Sequence, residues 1–397
     1  MPRQLAFAVE MVTTVLAIAG MGYFLAALVA ARVFLLRRRA PLQHFTPGVT
    51  ILKSLKGLDP GMLDAFRSHC RQTYPGSCEI LFGVSSFSDP AASAVEQLKL
   101  EFPQTSIRLF ECPERLGTNG KVSTLMQLAR HASYEFLLIN DSDITVAPDY
   151  LGRVMGCFAD SLHDTTPKRE TAVRGLVTAL YRGRAHGTLP SRLESLGIAT
   201  DFQPAVLLAK MLEGGLHYGL GSTLAVRREA LEKAGGLEAL VDHLADDYEM
   251  GARICRAGYT VELSSAVVET AIPGYDWSSF IDHQLRWLRT VRDARPAGYM
   301  GLIFTYGLGL ALLNVIASGL SPVSLWLLAL SLFLRLALAM TVGAEVLDDH
   351  QVLPLLWLLP FRDLIAMALW AAGFAGNTIV WRGEKFELKK GRLIKAS

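Results

Sequence analysis

Asp141-Ser142-Asp143 places two carboxylates one residue apart, directly after the apolar run YEFLLIN. Two such groups at a strand end can share a divalent cation, and that cation can bind the two phosphates of a nucleotide diphosphate. Neutralising that leaving group is the main electrostatic task in breaking a sugar-phosphate bond. A triplet of this kind also arises in solvated turns; its position after a buried strand favours the cation.

A second acidic cluster, Asp246-Asp247-Tyr248-Glu249, opens the stretch DDYEMGARICRAGY, where a helix begins. Carboxylates there can simply complement the positive end of the helix dipole. The chemical reading is a general base, which must sit within hydrogen-bond reach of an acceptor hydroxyl. Asp247 is the candidate base, and Asp246 beside it a candidate acceptor-site residue.

Lys121, in RLGTNGKVSTL, stands at a glycine-containing turn before a helix, where an ammonium and free backbone amides can contact phosphate. In FIDHQLRWLRTVRD, Phe280, Leu285, Trp287, Leu288 and Val291 form an apolar side. His283, Arg286, Arg289 and Arg292 lie largely elsewhere, the pattern of a helix lying at a membrane surface with its arginines toward anionic head groups. Arg286 can also hold a phosphate, and Trp287 can pack on donor or acceptor. The histidines show no H-E-x-x-H or similar spacing, so none reads as a metal ligand.

These groups need a scaffold. From about Pro47 to Pro296 short β-branched runs alternate with polar helical stretches, the pattern of an α/β layered domain. VTILKSL, EILFGVSS, SIRLFEC and YEFLLIN read as strands, with PAASAVEQLKLEF and KVSTLMQLARHA as helices between them. Near-continuously apolar strands are buried on both faces, as in a parallel sheet, and such sheets bind ligands at the carboxyl ends of their strands.

Apolar segments flank this domain. Residues 5 to 36 are long enough to cross a hydrocarbon core as one helix, and Arg37, Arg38 and Arg39 follow the run rather than precede it. That is an anchor with its basic end in the cytosol, not a cleaved signal peptide. Three more blocks follow, Tyr299 to Leu320, Val323 to Val342 and roughly Leu355 to Val380, the first two meeting at Ser321-Pro322 as a hairpin. One anchor plus three spans would put the tail WRGEKFELKKGRLIK outside, yet its six basic residues favour the cytosol. Either Val352 to Phe361 is re-entrant or interfacial, or the charge rule fails here.

Mean hydropathy of +0.30 is too high for an ordinary soluble protein of 397 residues. The net charge of +2 gives no bulk field toward nucleic acid. Five scattered cysteines, odd in number and never spaced C-x-x-C, disfavour a disulfide framework or a zinc site.

In order and spacing, VTILKSLKGLDP, VSSFSDPAA, TNGKVSTL, LINDSDITVAPDYL, GSTLAVRREALEKAGGL, LADDYEMG, HQLRW and WRGEKFEL resemble the ceramide glucosyltransferase family (glycosyltransferase family 21) with its bacterial relatives, including the hopanoid-associated enzymes. The resemblance covers nearly the whole chain. It implies an α/β GT-A fold (Rossmann-like, of the nucleotide-diphospho-sugar transferases) with α-helical transmembrane segments. Expected boundaries are an anchor over 1–40, a cytosolic catalytic domain over 41–298 with an interfacial helix near 277–293, a membrane block over 299–382 and a basic tail over 383–397.

The family pattern is three aspartate motifs followed by (Q/R)xxRW. It implies Asp89 near the base or ribose, Asp141 and Asp143 on metal and diphosphate and Asp247 as catalytic base, with Arg286 and Trp287 matching the last motif; these two and Lys121 are further donor-site candidates. His283 stands where the pattern has Gln or Arg; it and Asp246 are candidates for the acceptor site. The expected activity is inverting transfer of one sugar, glucose or N-acetylglucosamine, from a UDP-sugar to a lipid hydroxyl of ceramide or hopanoid type. Mn or Mg would be the metal, and the bacterial inner membrane the location. Two alternatives stay open: a processive polysaccharide synthase, for which three C-terminal spans are few, and a non-catalytic lipid-binding relative.

Overall fold

The computed structural model describes residues 3–39, 44–159, 173–381 and 384–395. Its centre is a seven-stranded sheet of β1 (Val49–Ser54), β2 (Cys78–Val84), β3 (Ser106–Glu111), β4 (Phe136–Ile139), β5 (Arg174–Ala185), β6 (Leu224–Arg227) and β7 (Thr260–Ile272), in the order β3-β2-β1-β4-β6-β5-β7. Strands β1 to β4 run parallel, as does β5 with β7; β6 is antiparallel to both its neighbours. The first four strands form where the apolar runs predict them. All four residues of β4 are buried, as both faces carry helices.

Chain order reverses at β1, which has β2 on one side and β4 on the other, so their carboxyl ends open the crevice where such sheets bind ligands. Asn140, at the end of β4, pins that edge. Its Nδ2 donates to the Tyr150 hydroxyl (3.1 Å) and the Ser222 carbonyl (2.7 Å), and its Oδ1 lies 3.2 Å from His69 Nε2. Asp141 therefore leaves the sheet in a fixed direction.

Among the described residues, four helical segments are long and apolar enough to cross a membrane: Phe7–Arg38, Pro296–Ala317, Pro322–Val346 and His350–Ala372. The second and third turn about Gly319 and Leu320, both at positive φ, with the Ser321 hydroxyl capping the returning helix through Ser324 N. They pack on the N-terminal helix by small residues: a methyl group on Gly20 would stand 2.4 Å from Gly307 Cα. Asn314 Nδ2 donates to the Thr14 hydroxyl (2.7 Å) near one end of that helix, and Arg38 to the Val346 carbonyl (2.8 Å) at the other.

The third apolar block departs from the expected continuous run. His350–Leu358 is a 3₁₀ segment containing Pro354, the helix proper is Leu359–Ala372, and the chain is already in a strand by Thr378. Proline cannot donate to an α-helical ladder, so the block breaks where Pro354 and Pro360 fall.

Arg335, Arg362 and Asp363, charges inside the C-terminal blocks, are buried against protein. Arg335, fully buried, binds Asp363 through two hydrogen bonds (2.9 and 2.7 Å), the Thr200 carbonyl (2.6 Å) and Asp201. Arg362 joins the cluster through Asp201 (3.3 Å) and the Leu193 carbonyl (3.1 Å). Thr200 and Asp201 lie in a wide π-type turn, Ile198–Phe202, inside the helical run that starts at Leu189. Such a turn frees backbone carbonyls, and here the arginine takes one.

The basic tail contributes to a second, antiparallel sheet of β8 (Thr378–Trp381), β9 (Glu384–Lys389) and β10 (Arg392–Lys395), with Ile379, Phe386, Leu388 and Leu393 as its small core.

Candidate active site

Asp141 and Asp247 meet at Gly221. A methyl group built on that glycine would lie 3.1 Å from Asp247 Oδ2 and 3.6 Å from Asp141 Oδ2, so any other residue there would fill the space between the carboxylates. Asp247 is oriented by two backbone amides, Gly221 N on Oδ2 and Tyr248 N on Oδ1, both at 2.8 Å. The helix Asp246–Arg256 approaches so closely because Gly251 lies against Tyr218 and Gly219, whose backbone a side chain would strike at 2.4 Å. Burial, then the charge of Asp246, pushes the Asp247 carboxyl up to about 6.

Asp143 is held from the other side of the crevice. Its Oδ2 accepts from Ala271 N (3.1 Å) and the Thr270 hydroxyl at the end of β7. Burial and the neighbouring Asp141 raise its carboxyl above the ordinary range. Ser142, between them, donates to Asp59 (2.7 Å).

Two lysines answer this negative charge. Lys121 Nζ is 2.7 Å from Asp141 and 3.5 Å from Asp246, so one cation joins the two acidic clusters. Its turn is capped by Asn119, whose side chain accepts from Val122 N and donates to the His243 carbonyl (2.8 Å) and Asp246 (3.4 Å). Lys53 lies fully buried in β1 and donates to the Asp141 carbonyl (3.0 Å); burial pulls its ammonium down to about 7. Sequence reading passed over Lys53 as one charge in the strand VTILKS, although a lysine in an otherwise buried run was the signal. Gly221 was visible only within the quoted segment GSTLAV.

Asp89 occupies a different kind of place. Its carboxylate accepts from Gly57 N (3.0 and 3.1 Å) and caps the following helix through Ala91 N (2.9 Å), tying the loop after β1 to the loop after β2. The adjacent recess is lined by Leu55, Lys56, Cys112, Arg115, Lys121 and Phe386, among others.

The helix Trp277–Ala294 carries the remaining candidates. His283 Nδ1 pairs with the buried Glu194 (3.0 Å), and its ring packs between Tyr275 and Trp287 with centroids 5.5 and 5.2 Å away. Trp287 leans in turn on Phe202 (6.1 Å). Burial pushes the Tyr275 hydroxyl above the ordinary phenol range, and the charge of Glu194 adds to the shift. Glu194 escaped notice because an acidic residue in an amphipathic helix reads as solvated. Arg289 and Arg292, read as reaching for lipid head groups, instead donate to the carbonyls of Ala375, Thr378, Gly373 and Gly376. Gly373, Ala375 and Gly376 follow the helix Leu359–Ala372 and Thr378 opens β8, so the two arginines tie this connection to the helix Trp277–Ala294.

A mostly parallel sheet with its acidic crevice at the switch point is the GT-A arrangement, and solved structures agree. A mannosyltransferase from Pyrobaculum calidifontis, in complex with GDP-Man and Mn2+, matches 92% of this chain and 97% of its own at a TM-score of 0.55 and 20% identity. The protein is a GT-A glycosyltransferase with a membrane part. In sequence, glycosyl transferase family 21 matches residues 12–394, and the chain belongs to that family. Ceramide glucosyltransferase 3 of Caenorhabditis elegans is 26% identical over 368 residues, 88% of this chain and 74% of that one. Ceramide glucosyltransferase 1 of the same animal is 24% identical with the same coverage, and the ceramide glucosyltransferase of Pyricularia oryzae is 22% identical over 426 residues.

Proposed function

We propose that the protein moves one hexose, glucose or N-acetylglucosamine, from a UDP-sugar to a hydroxyl of a membrane lipid of ceramide or hopanoid type, with inversion at the anomeric carbon. The observation that carries this reading is the convergence of the Asp141 and Asp247 carboxylates on Gly221. An inverting displacement needs one base on the acceptor side and one charge-neutralising group on the diphosphate side, and no enzyme nucleophile.

Asp247 takes the proton of the acceptor hydroxyl as its oxygen attacks the anomeric carbon; the bond to the diphosphate breaks on the opposite face and UDP leaves. With a carboxyl pushed up to about 6, Asp247 is a stronger base than an exposed aspartate and still ionised at neutral pH. Lys121 faces the leaving phosphates. Asp141 and Asp143 are hard oxygen donors whose half-buried, mutually repelling charges suit a divalent cation, Mn2+ or Mg2+. Among the described residues no three acidic, histidine or cysteine side chains gather for a cation, so diphosphate and water would complete its shell. Such a cation, when bound, neutralises the leaving group. Arg286 and Trp287 border the donor, and His283 the acceptor; Asp246 is engaged by Lys121 and Asn119 and positions them.

The acceptor's tail lies in the bilayer. Arg37 to Arg39, at the catalytic end of the anchor, support a catalytic domain on the cytosolic face. The chain enters the membrane block after Arg295, which pairs with Glu213, and returns at Leu347 and Asp348, whose carbonyls bind Arg182. Near the start of His350–Ala372 the Gln351 side chain accepts from Ala185 N (3.3 Å), and just past its end the Gly373 carbonyl accepts from Arg292. Both its ends meet the catalytic side, which supports a re-entrant segment and a cytosolic tail, in accord with the tail's basic charge. Product masses from the purified enzyme, several UDP-sugars and each lipid test the activity. A single added hexose supports it, whereas a ladder identifies a processive synthase and no product a non-catalytic relative.

A further inference from the structure

We infer that the C-terminal sheet β8–β10 is part of the donor site, with the Phe386 ring forming one wall of the recess for the nucleobase. This rests on the UDP-sugar reading and adds a residue to it from outside the α/β domain. In β9 side chains alternate, Lys385, Glu387 and Lys389 outward and Phe386 and Leu388 inward. Phe386 lines the recess at the ends of β1 to β3, together with Leu55, Cys112 and Lys121. Lys121 marks the phosphate end, because its ammonium also touches Asp141. The apolar walls of Leu55, Cys112 and Phe386 leave the planar, weakly polar part of a nucleotide for the rest, and a base offers its π-face to an aromatic ring.

The sheet is fixed to the catalytic loop rather than lying loosely over it. Leu393 N donates to the Asp242 carbonyl (2.8 Å), Leu244 N to the Gly391 carbonyl (3.3 Å), and Asp293 accepts from Lys390 N (3.2 Å) and Gly391 N. Asp242 in turn accepts from Thr118 N (3.0 Å) and its hydroxyl (2.9 Å), and Asn119 N donates to the Val241 carbonyl (2.7 Å). One strand of the tail, the loop before Asp246-Asp247 and the Lys121 turn are thus a single bonded unit.

The test is binding of UDP and of inorganic pyrophosphate, in Mg2+ buffer, to the full-length protein in nanodiscs, with Phe386→Ala and Phe386→Leu. The leucine keeps the small core of the sheet and removes only the ring. UDP is expected to bind about tenfold more weakly to Phe386→Ala and with an intermediate loss to Phe386→Leu, with pyrophosphate unchanged in both. Unchanged UDP affinity in Phe386→Ala, or a parallel loss of pyrophosphate in Phe386→Leu, overturns the base contact while leaving the donor reading intact. Wild-type protein that binds neither probe overturns both.

Discussion

The Lys121 ammonium stands 2.7 Å from Asp141, so the turn after β3 and the end of β4 are joined across the crevice by one ion pair. Burial alone would lower this lysine's pKa, but the charges of Asp141 and Asp246 hold it well above the usual range. When a donor diphosphate enters, the same ammonium is close enough to share with it. Lys121→Met should weaken UDP binding on the order of tenfold to a hundredfold, the worth of hydrogen bonds to a charged group. Calorimetric titration of both proteins checks this.

A limb in the pH profile should belong to Asp247. Its carboxyl titrates near 6, and only the ionised form can accept a proton. Activity therefore stays high above that value and falls about tenfold per unit below it. Removing the like charge in Asp246→Asn should move the limb to lower pH. Values of kcat/KM between pH 5 and 8 check both statements; a wild-type profile flat across that range would assign the base to another group.

The buried cluster around Arg335 should dominate the stability of the membrane part. Its guanidinium bonds Asp363, Thr200 and Asp201 with no exposure to water, so removing one partner leaves an uncompensated charge. Arg335→Met is expected to cost about 3–5 kcal/mol. Thermal unfolding in detergent would register it as a clear drop in Tm, and an unchanged Tm would show the cluster to be neutral overall.

Strands β1 to β4 and the acidic triplet were legible because buried parallel strands are written as unbroken apolar runs, and a polar cluster after such a run stands out. Lys53, Glu194 and Gly221 were not. A buried charge looks like a surface charge until its partners are known, and the role of Gly221 lies in a side chain it lacks. The third apolar block stayed open between a crossing and a re-entrant segment for a related reason: hydropathy registers length and composition, and a segment that folds back has the same composition as one that crosses. Its end contacts, Gln351 on Ala185 and Gly373 on Arg292, support the proposal that it folds back.

That distinction carries its own experiment. Leu320, exposed at the hairpin tip, and Lys389, exposed in β9, can each be replaced by cysteine and labelled with a membrane-impermeant maleimide in oriented vesicles. The re-entrant arrangement expects Lys389→Cys to label from the cytosolic face and Leu320→Cys from the opposite one. Labelling of both from one face would require a different number of crossings.

The central claim is that Asp247 is the base and that Asp141, Asp143 and Lys121 hold the donor. Single-turnover transfer by Asp247→Asn, measured beside its affinity for UDP, tests it most directly. Transfer should fall by at least about a hundredfold with UDP affinity kept. An Asp247→Asn protein that transfers sugar at the wild-type rate would contradict the assignment.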